Sequence, residues 1–400
     1  MRRVMALLSA AALVVLPGCW SRREPKNMAI VSSILYDLND DKTFALTTEL
    51  MHPGPSAGGD QSGELPAIIV TSNGNTIAET LRNAEQTIER YLFAAHVEAR
   101  FLSEKFAGSD QAFSCISDFI MRDHIATMRP IMMVIRGDEP EKIYEAELEY
   151  STNFGSYFME MVKTQPLATS KSVFVTHFEF VRDFYTEGKE PVLGCVEIVE
   201  DPAPSPQSAQ GEGQEKEQKK TKIIFEGLAA FKQGVLAGFM NGNEARAYNI
   251  LTNQFSSTYY SAASNIHGTV VQITGAKTKI KTDVSGELPV IDIAVHLTMT
   301  LVQESHGVDI NDPAMISAIE QEVSEDLAAE IRGAVQKAQQ EFGSDIFGFG
   351  AVIHRQHPHA WRQMREGWAD LFPTADVRLT VESCLERLGE VEEPFIREGS

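Results

Sequence analysis

The chain has 400 residues, with 35 Lys and Arg against 56 Asp and Glu and a formal charge of −21. That length exceeds one typical domain, so two or three are expected, and a 43% apolar and 23% charged content is ordinary for globular protein. A body this acidic is repelled by phosphate backbones and anionic headgroups, which argues against nucleic-acid binding and against attachment to a membrane through charge.

The first residues offer another means of attachment. Met1-Arg2-Arg3 is a basic start, an apolar stretch runs from Val4 to Leu16, and Leu16-Pro17-Gly18-Cys19 follows. This is the pattern of a secretory signal. It is too short for a spanning helix of about 20 residues, being broken by Pro17 and closed by Arg22-Arg23. Leu-Pro-Gly-Cys resembles a lipobox, which implies that residues 1–18 are removed and that Cys19 becomes a lipid-bearing N-terminus; an ordinary signal peptide ending near a cysteine is the alternative. Two or three acyl chains hold a protein firmly, at about 0.8 kcal/mol per buried CH₂.

Met28–Leu35 and Thr43–Met51 read as strands around the turn residues Asn39-Asp40-Asp41, a hairpin. The polar, Gly-rich 53–63 stretch reads as a loop and Ile68–Thr71 as a short strand. Thr76 and Glu79 form a capping-box pattern for a helix whose apolar positions are Ile77, Leu81, Ala84, Ile88 and Leu92. Val97–Leu102 reads as strand, Asp110–Asp123 as helix, Ile131–Ile135 as strand and Glu141–Glu149 as helix, an order that implies helices layered on a sheet.

Asp201 to Lys222 has no aromatic residue and no aliphatic side chain larger than alanine, so it is expected to be a disordered linker or an extruded loop. Beyond it, Ile223–Lys232, Gly268–Lys281 and Leu288–Gln303 are strand-like. Asp312-Pro313 opens a long helix with Ile316, Ile319, Val323, Leu327, Ile331, Val335 and Phe342 on its apolar face and Gly343 at its end. A shorter helix holding Trp361 and Trp368 follows, and then a strand, Val377–Leu385.

Residues with chemical potential are few. His354, His357 and His359 are interrupted by Pro358 and lack a carboxylate or thiol at ligand spacing, so surface imidazoles are expected and no metal site. There is no P-loop pattern. Gly348-Phe349-Gly350 reads as a bend before a strand, and Trp361 and Trp368 as core. Asn241-Gly242 is a turn signal; Glu244 and Arg246 behind it fit either a buried ion pair or surface charge. Beyond Cys19, Cys115, Cys195 and Cys384 are widely spaced, allowing one disulfide or buried free thiols. The residues name no enzyme and no cofactor.

The stretch Cys19-Trp20-Ser21-Arg22-Arg23-Glu24, followed by Ala29-Ile30-Val31 and Asp37, resembles the mature start of the Ger(x)C family, with Ser21 where that family usually has Asp. Similar to it as well are Leu81-Arg82-Asn83, His96 with Ser103-Glu104-Lys105, Phe119 to Asp123 and Arg129-Pro130. So are Phe231-Lys232-Gln233-Gly234, the Gly238 to Arg246 stretch (Ala247 replacing a glycine), Gln339, Asp345 to Gly350, and Trp361. The resemblance implies a multi-domain α+β fold of mixed sheets packed with helices, with a germination-protein domain at 19–200, the 201–222 segment, and a second domain at 223–400. It implies a non-enzymatic C-type lipoprotein subunit of a spore germinant receptor, without cofactor. Its partners would be integral membrane A-type and B-type subunits at the outer face of the spore inner membrane, in a receptor for small nutrients. Cys19, as the lipidation site, is the one functional residue carried over. A solute-binding lipoprotein of a transporter is the alternative, and it calls for two similar lobes.

Overall fold

The computed structural model describes residues 27–51, 67–110, 112–123, 126–148, 151, 153–201, 220–261, 269–303 and 312–387. Cys19 and most of the 201–222 segment lie outside the described residues. The chain adopts the expected α+β class, with two mixed sheets and helices packed on them.

The first sheet begins with the expected hairpin of β1 (Met28–Leu38) and β2 (Phe44–Met51), and β3 (Ile68–Gly74) follows. Helix α1 (Ile77–Glu85) is capped by Thr76, whose hydroxyl accepts from the Glu79 N–H at 3.1 Å; the Glu79 carboxylate accepts from the Asn75 N–H instead of closing the box. The helix ends before Ile88 and Leu92, and Leu92 sits in β4 (Tyr91–Phe93), beside β1. Then come β5 (Ala99–Ser103), α2 (Glu104–Ala107), α3 (Ala112–Arg122) and β6 (Ile131–Arg136). The helix expected over 141–149 is only a 3₁₀ segment, Pro140–Glu145.

Four further elements carry no expectation above: α4 (Phe154–Ala168), β7 (Val175–Thr176), α5 (His177–Phe184) and β8 (Val192–Asp201). Strands β9 (Lys220–Lys232) and β10 (Val235–Met240) complete a ten-stranded sheet of order β10-β9-β8-β6-β5-β1-β2-β3, with β4 and β7 at its side. Its centre, β8-β6-β5-β1, is parallel and its flanks are antiparallel. The sheet therefore runs without a break across the 201–222 segment, whose described residues Asp201 and Lys220 are paired partners at the ends of β8 and β9.

Central parallel strands are covered on both faces, so they are apolar throughout. Phe101, Met133 and Val196 pack on one side with Phe154 and Phe158 of α4. Leu102, Val134 and Cys195 pack on the other with Ile116, Ile120 and Phe180 of α3 and α5.

Asn241-Gly242 is not a free turn. Asn241 is the N-cap of α6 (Gly242–Leu251), accepting from the N–H groups of Asn243 and Glu244 at 3.0 Å, while the Glu244 carboxylate accepts from the Asn241 N–H at 2.8 Å. The second sheet is β11-β12-β13-β14, from β11 (Thr258–Ser261), β12 (Val270–Asp283), β13 (Val290–Gln303) and β14 (Asp376–Arg387). Along β13 every second residue from Ile291 to Leu301 is buried, the period of a one-sided sheet. Helix α7 (Pro313–Lys337) covers that side with Ile319, Val323, Leu327, Ile331 and Val335, and the chain turns at Gly343, φ 55°.

Gly348, φ 76°, makes the expected bend, but helix α8 (Phe349–Gln356) follows it, not a strand. The expected Trp361–Trp368 helix is split into α9 (Pro358–Met364) and α10 (Trp368–Leu371) by the 3₁₀ turn Arg365–Gly367. Among the described residues one sheet has ten strands and the other four, which does not favour the two similar lobes of a solute-binding protein.

Candidate functional site: the joint between the two sheets

Glu244, Arg246, Gln339 and Asp345, all from the family-like stretches, lie where α6–α10 meet the ten-stranded sheet. Asp345, 4% exposed, lies at their centre. One carboxylate oxygen accepts from the N–H groups of Gly348 and Phe349 at 2.9 and 3.0 Å, the other from the Gly350 N–H at 2.7 Å and the Trp368 indole at 3.0 Å. Burial outweighs these four donors and holds the carboxyl up at about 6. The Asp345 carbonyl also accepts from the Glu190 N–H, and the Ala351 N–H donates to the Gly188 carbonyl.

Backbones approach closely here. A Cβ on Gly188, φ +78°, would stand 2.4 Å from the Gly350 carbonyl carbon, and one on Gly350 would stand 2.6 Å from the Trp368 indole nitrogen. Only glycine fits either position. Glu187 on the same loop receives the Trp361 indole N–H at 2.9 Å, with Arg365 and His354 beside it, and these hold its carboxyl below the usual range. Trp361 and Trp368 are core, as expected, at 1% and 6% exposed.

The open question over Glu244 and Arg246 resolves into two ion pairs. Arg246, buried, grips Glu330 of α7 through the Nε–Nη2 edge of its guanidinium at 2.5–3.2 Å, under the Tyr260 ring. Glu244 pairs with Lys337 at 2.9 Å. The Gln339 amide donates to the carbonyls of Phe372 and Ala375, Ser344 donates to the Phe231 carbonyl, and Asn249 donates to the carbonyls of Ser170 and Ser172. These groups are spent on one another and on backbone, which is the chemistry of a fixed joint.

Sequence reasoning missed two buried polar groups in the first lobe. Glu49 accepts from the hydroxyls of Ser32 and Ser33 and from the Phe154 N–H at 2.7 Å, fastening the start of α4 to β2, and burial pushes its carboxyl up. Arg100, 2% exposed, points at His177 Nδ1 (3.3 Å) and donates to the Thr127 carbonyl (2.9 Å). A guanidinium can only donate, so the His177 proton sits on Nε2, toward Ser117 at 3.2 Å. Burial, helped by Arg100, pushes His177 down to about 3, so the ring stays neutral at physiological pH.

His354 stacks on Trp361, His357 bonds the Thr282 carbonyl, and His359 takes the Arg362 guanidinium, so the three imidazoles face different partners. Among the described residues no group of three or more His, Cys, Asp or Glu is placed to hold a metal, and no helix is long and apolar enough to cross a membrane. Of the two alternatives left open, free thiols hold for Cys115, Cys195 and Cys384; Cys195 is buried, Cys115 is half-buried, and Cys384 is exposed on strand β14. A cavity of about 450 Å³ opens at the end of β1 and β5, lined by Asn39, Lys42, Phe44, Lys105 and Phe106.

Two family models match the chain: "Spore germination protein N-terminal domain" over residues 21–198 and "Spore germination B3/ GerAC like, C-terminal" over residues 226–389. The chain belongs to the Ger(x)C family of spore germination proteins. It is similar to spore germination protein KC of Bacillus subtilis (strain 168), 24% identical over 98% of this chain and 97% of the relative. Spore germination protein B3 of the same organism is 21% identical over 95% of this chain and 96% of the relative. The crystal structure of the GerBC protein shares the fold, with a TM-score of 0.54 and 16% identity over 88% of this chain and 96% of that one. In this Ger(x)C chain the family-like stretches at 231–246, 339–350 and 361 are thus the parts of the joint.

Proposed function

We propose that this Ger(x)C protein is a non-enzymatic lipoprotein subunit of a spore germinant receptor. It would be held at the outer face of the spore inner membrane by acyl chains on Cys19 and assembled with two integral membrane subunits. What carries the reading is the match of both germination-protein family models, which run from residue 21 to residue 389 with one short gap. Supporting it are the lipobox-like Leu16-Pro17-Gly18-Cys19 and the spending of the joint's polar groups on structure. Replacing Cys19 with alanine tests it: the protein is expected to leave the membrane fraction and nutrient-triggered germination to fall. An anchored variant with normal germination refutes it.

A further inference from the structure

Five of the exposed large apolar side chains of the first lobe gather at one place. Met51, Ile68, Tyr91, Met121 and Phe178 are between 38% and 59% exposed. Strand register puts them at the end of the ten-stranded sheet where β1 begins. Met28 pairs with Tyr91, Ile30 with Met51, and Val31 with Leu50, itself the partner of Ile68. Ser33, Ala99, Ile131 and Thr176 share one rung, so Phe178 lies beyond the start of β6, its N–H bonded to the Met128 carbonyl at 3.0 Å. Met121 is on the last turn of α3, which leads into that same start. At about 4.8 Å per strand, the row from β3 to β6 is about 20 Å wide. Ile69, Tyr185 at the end of α5, Ile224, Tyr259, Leu288 and Val302 are exposed as well, outside this group.

We propose that this end of the sheet rests on the phospholipid bilayer, its apolar side chains dipping into the headgroup–acyl boundary. The proposal rests on the lipid assigned above to Cys19. The nine residues from Trp20 to Met28 reach at most about 30 Å, comparable with the length of β1 itself. The start of β1 is therefore kept at the surface, and only a fully stretched tether would bring the opposite end down. Tyrosine and tryptophan favour this depth of a bilayer, and Trp20 follows the anchored cysteine directly. Charge selects the same orientation. The tether carries Arg22, Arg23 and Lys26 against Glu24, and Arg90 and Arg129 stand exposed at this end beside Glu85 and Glu89. The strongly acidic remainder is repelled by anionic lipid.

The test uses the full lipidated chain in vesicles of phosphatidylglycerol and phosphatidylethanolamine, with a benzophenone-bearing residue in place of Tyr91 or Phe178, or of Tyr259 or Leu288 as controls. Irradiation is expected to give lipid adducts from 91 and 178 and background levels from 259 and 288. Equal yields from both pairs, or adducts from 91 and 178 to protein rather than lipid, overturn the surface. The mass of the N-terminal peptide reads the anchor separately: a Cys19 peptide without acyl groups refutes the lipid, while lipid adducts confined to 91 and 178 in that same sample uphold the surface.

Discussion

Replacing Asp345 with alanine asks whether its carboxylate holds the joint. The change leaves four buried donors without their acceptor: three backbone N–H groups and the Trp368 indole. At about 1–3 kcal/mol per orphaned donor, with water reaching some of them, the loss is roughly 5 kcal/mol. A second effect opposes it. The carboxyl is held up at about 6 from 3.8, so ionising it inside the fold costs about 3 kcal/mol at neutral pH, and the variant escapes that cost. The cost is absent below the unfolded pKa, grows as pH rises, and is complete above the folded one. The variant should therefore be destabilised by about 4 kcal/mol near pH 4.5 and by about 2 kcal/mol near pH 7.5. Urea unfolding at the two pH values measures this, followed by the emission of Trp361 and Trp368, which both lie in the joint. A destabilisation as large at the higher pH as at the lower would refute the reasoning.

Glu330→Gln should cost about 3–5 kcal/mol by leaving buried Arg246 without its counter-charge, and adding Arg246→Met should recover much of it in a double-mutant cycle. Gly188→Ala should lower stability by about 2–4 kcal/mol, because its Cβ meets the Gly350 backbone and its φ is positive; a thermal melt within a degree of wild type would contradict this. Cys384 should react with maleimide in the native protein and Cys195 only after unfolding, as their exposures dictate; mass spectrometry of the labelled peptides decides it.

The elements read correctly from sequence are those whose pattern is local. The β1–β2 hairpin has alternation and turn residues, and α7 has an uninterrupted apolar face between Asp312 and Gly343. Several others left signals that went unread. Thr176-His177-Phe178-Glu179 is a complete capping-box spacing, and the box closes with Thr176 and Glu179 bonded both ways. Val192 to Val199 is the near-continuous apolar run of a strand covered on both faces. Asn241-Gly242 misled because asparagine serves turns and N-caps alike, and only Glu244 three residues on distinguishes them. The joint could not be foreseen in detail. Asp345 to Gly350 is a family-like stretch in sequence, but its partners Gly188 and Glu190 lie on a loop of the other lobe, and nothing local links them. Glu49 and Arg100 were invisible for the opposite reason: charged residues inside strands read as surface until their neighbours are known.

The pairing of Asp201 with Lys220 gives the 201–222 stretch a practical meaning. Its two ends are held side by side by β8 and β9, so doubling the chain between them adds only about 0.6 kcal/mol of closure entropy. Because β8 runs parallel to β1 through β6 and β5, those ends project opposite the start of β1. A fluorescent or affinity tag spliced there would hang from the far side of the molecule, clear of its N-terminal tether and of the joint, and so could report on an assembly without disturbing it.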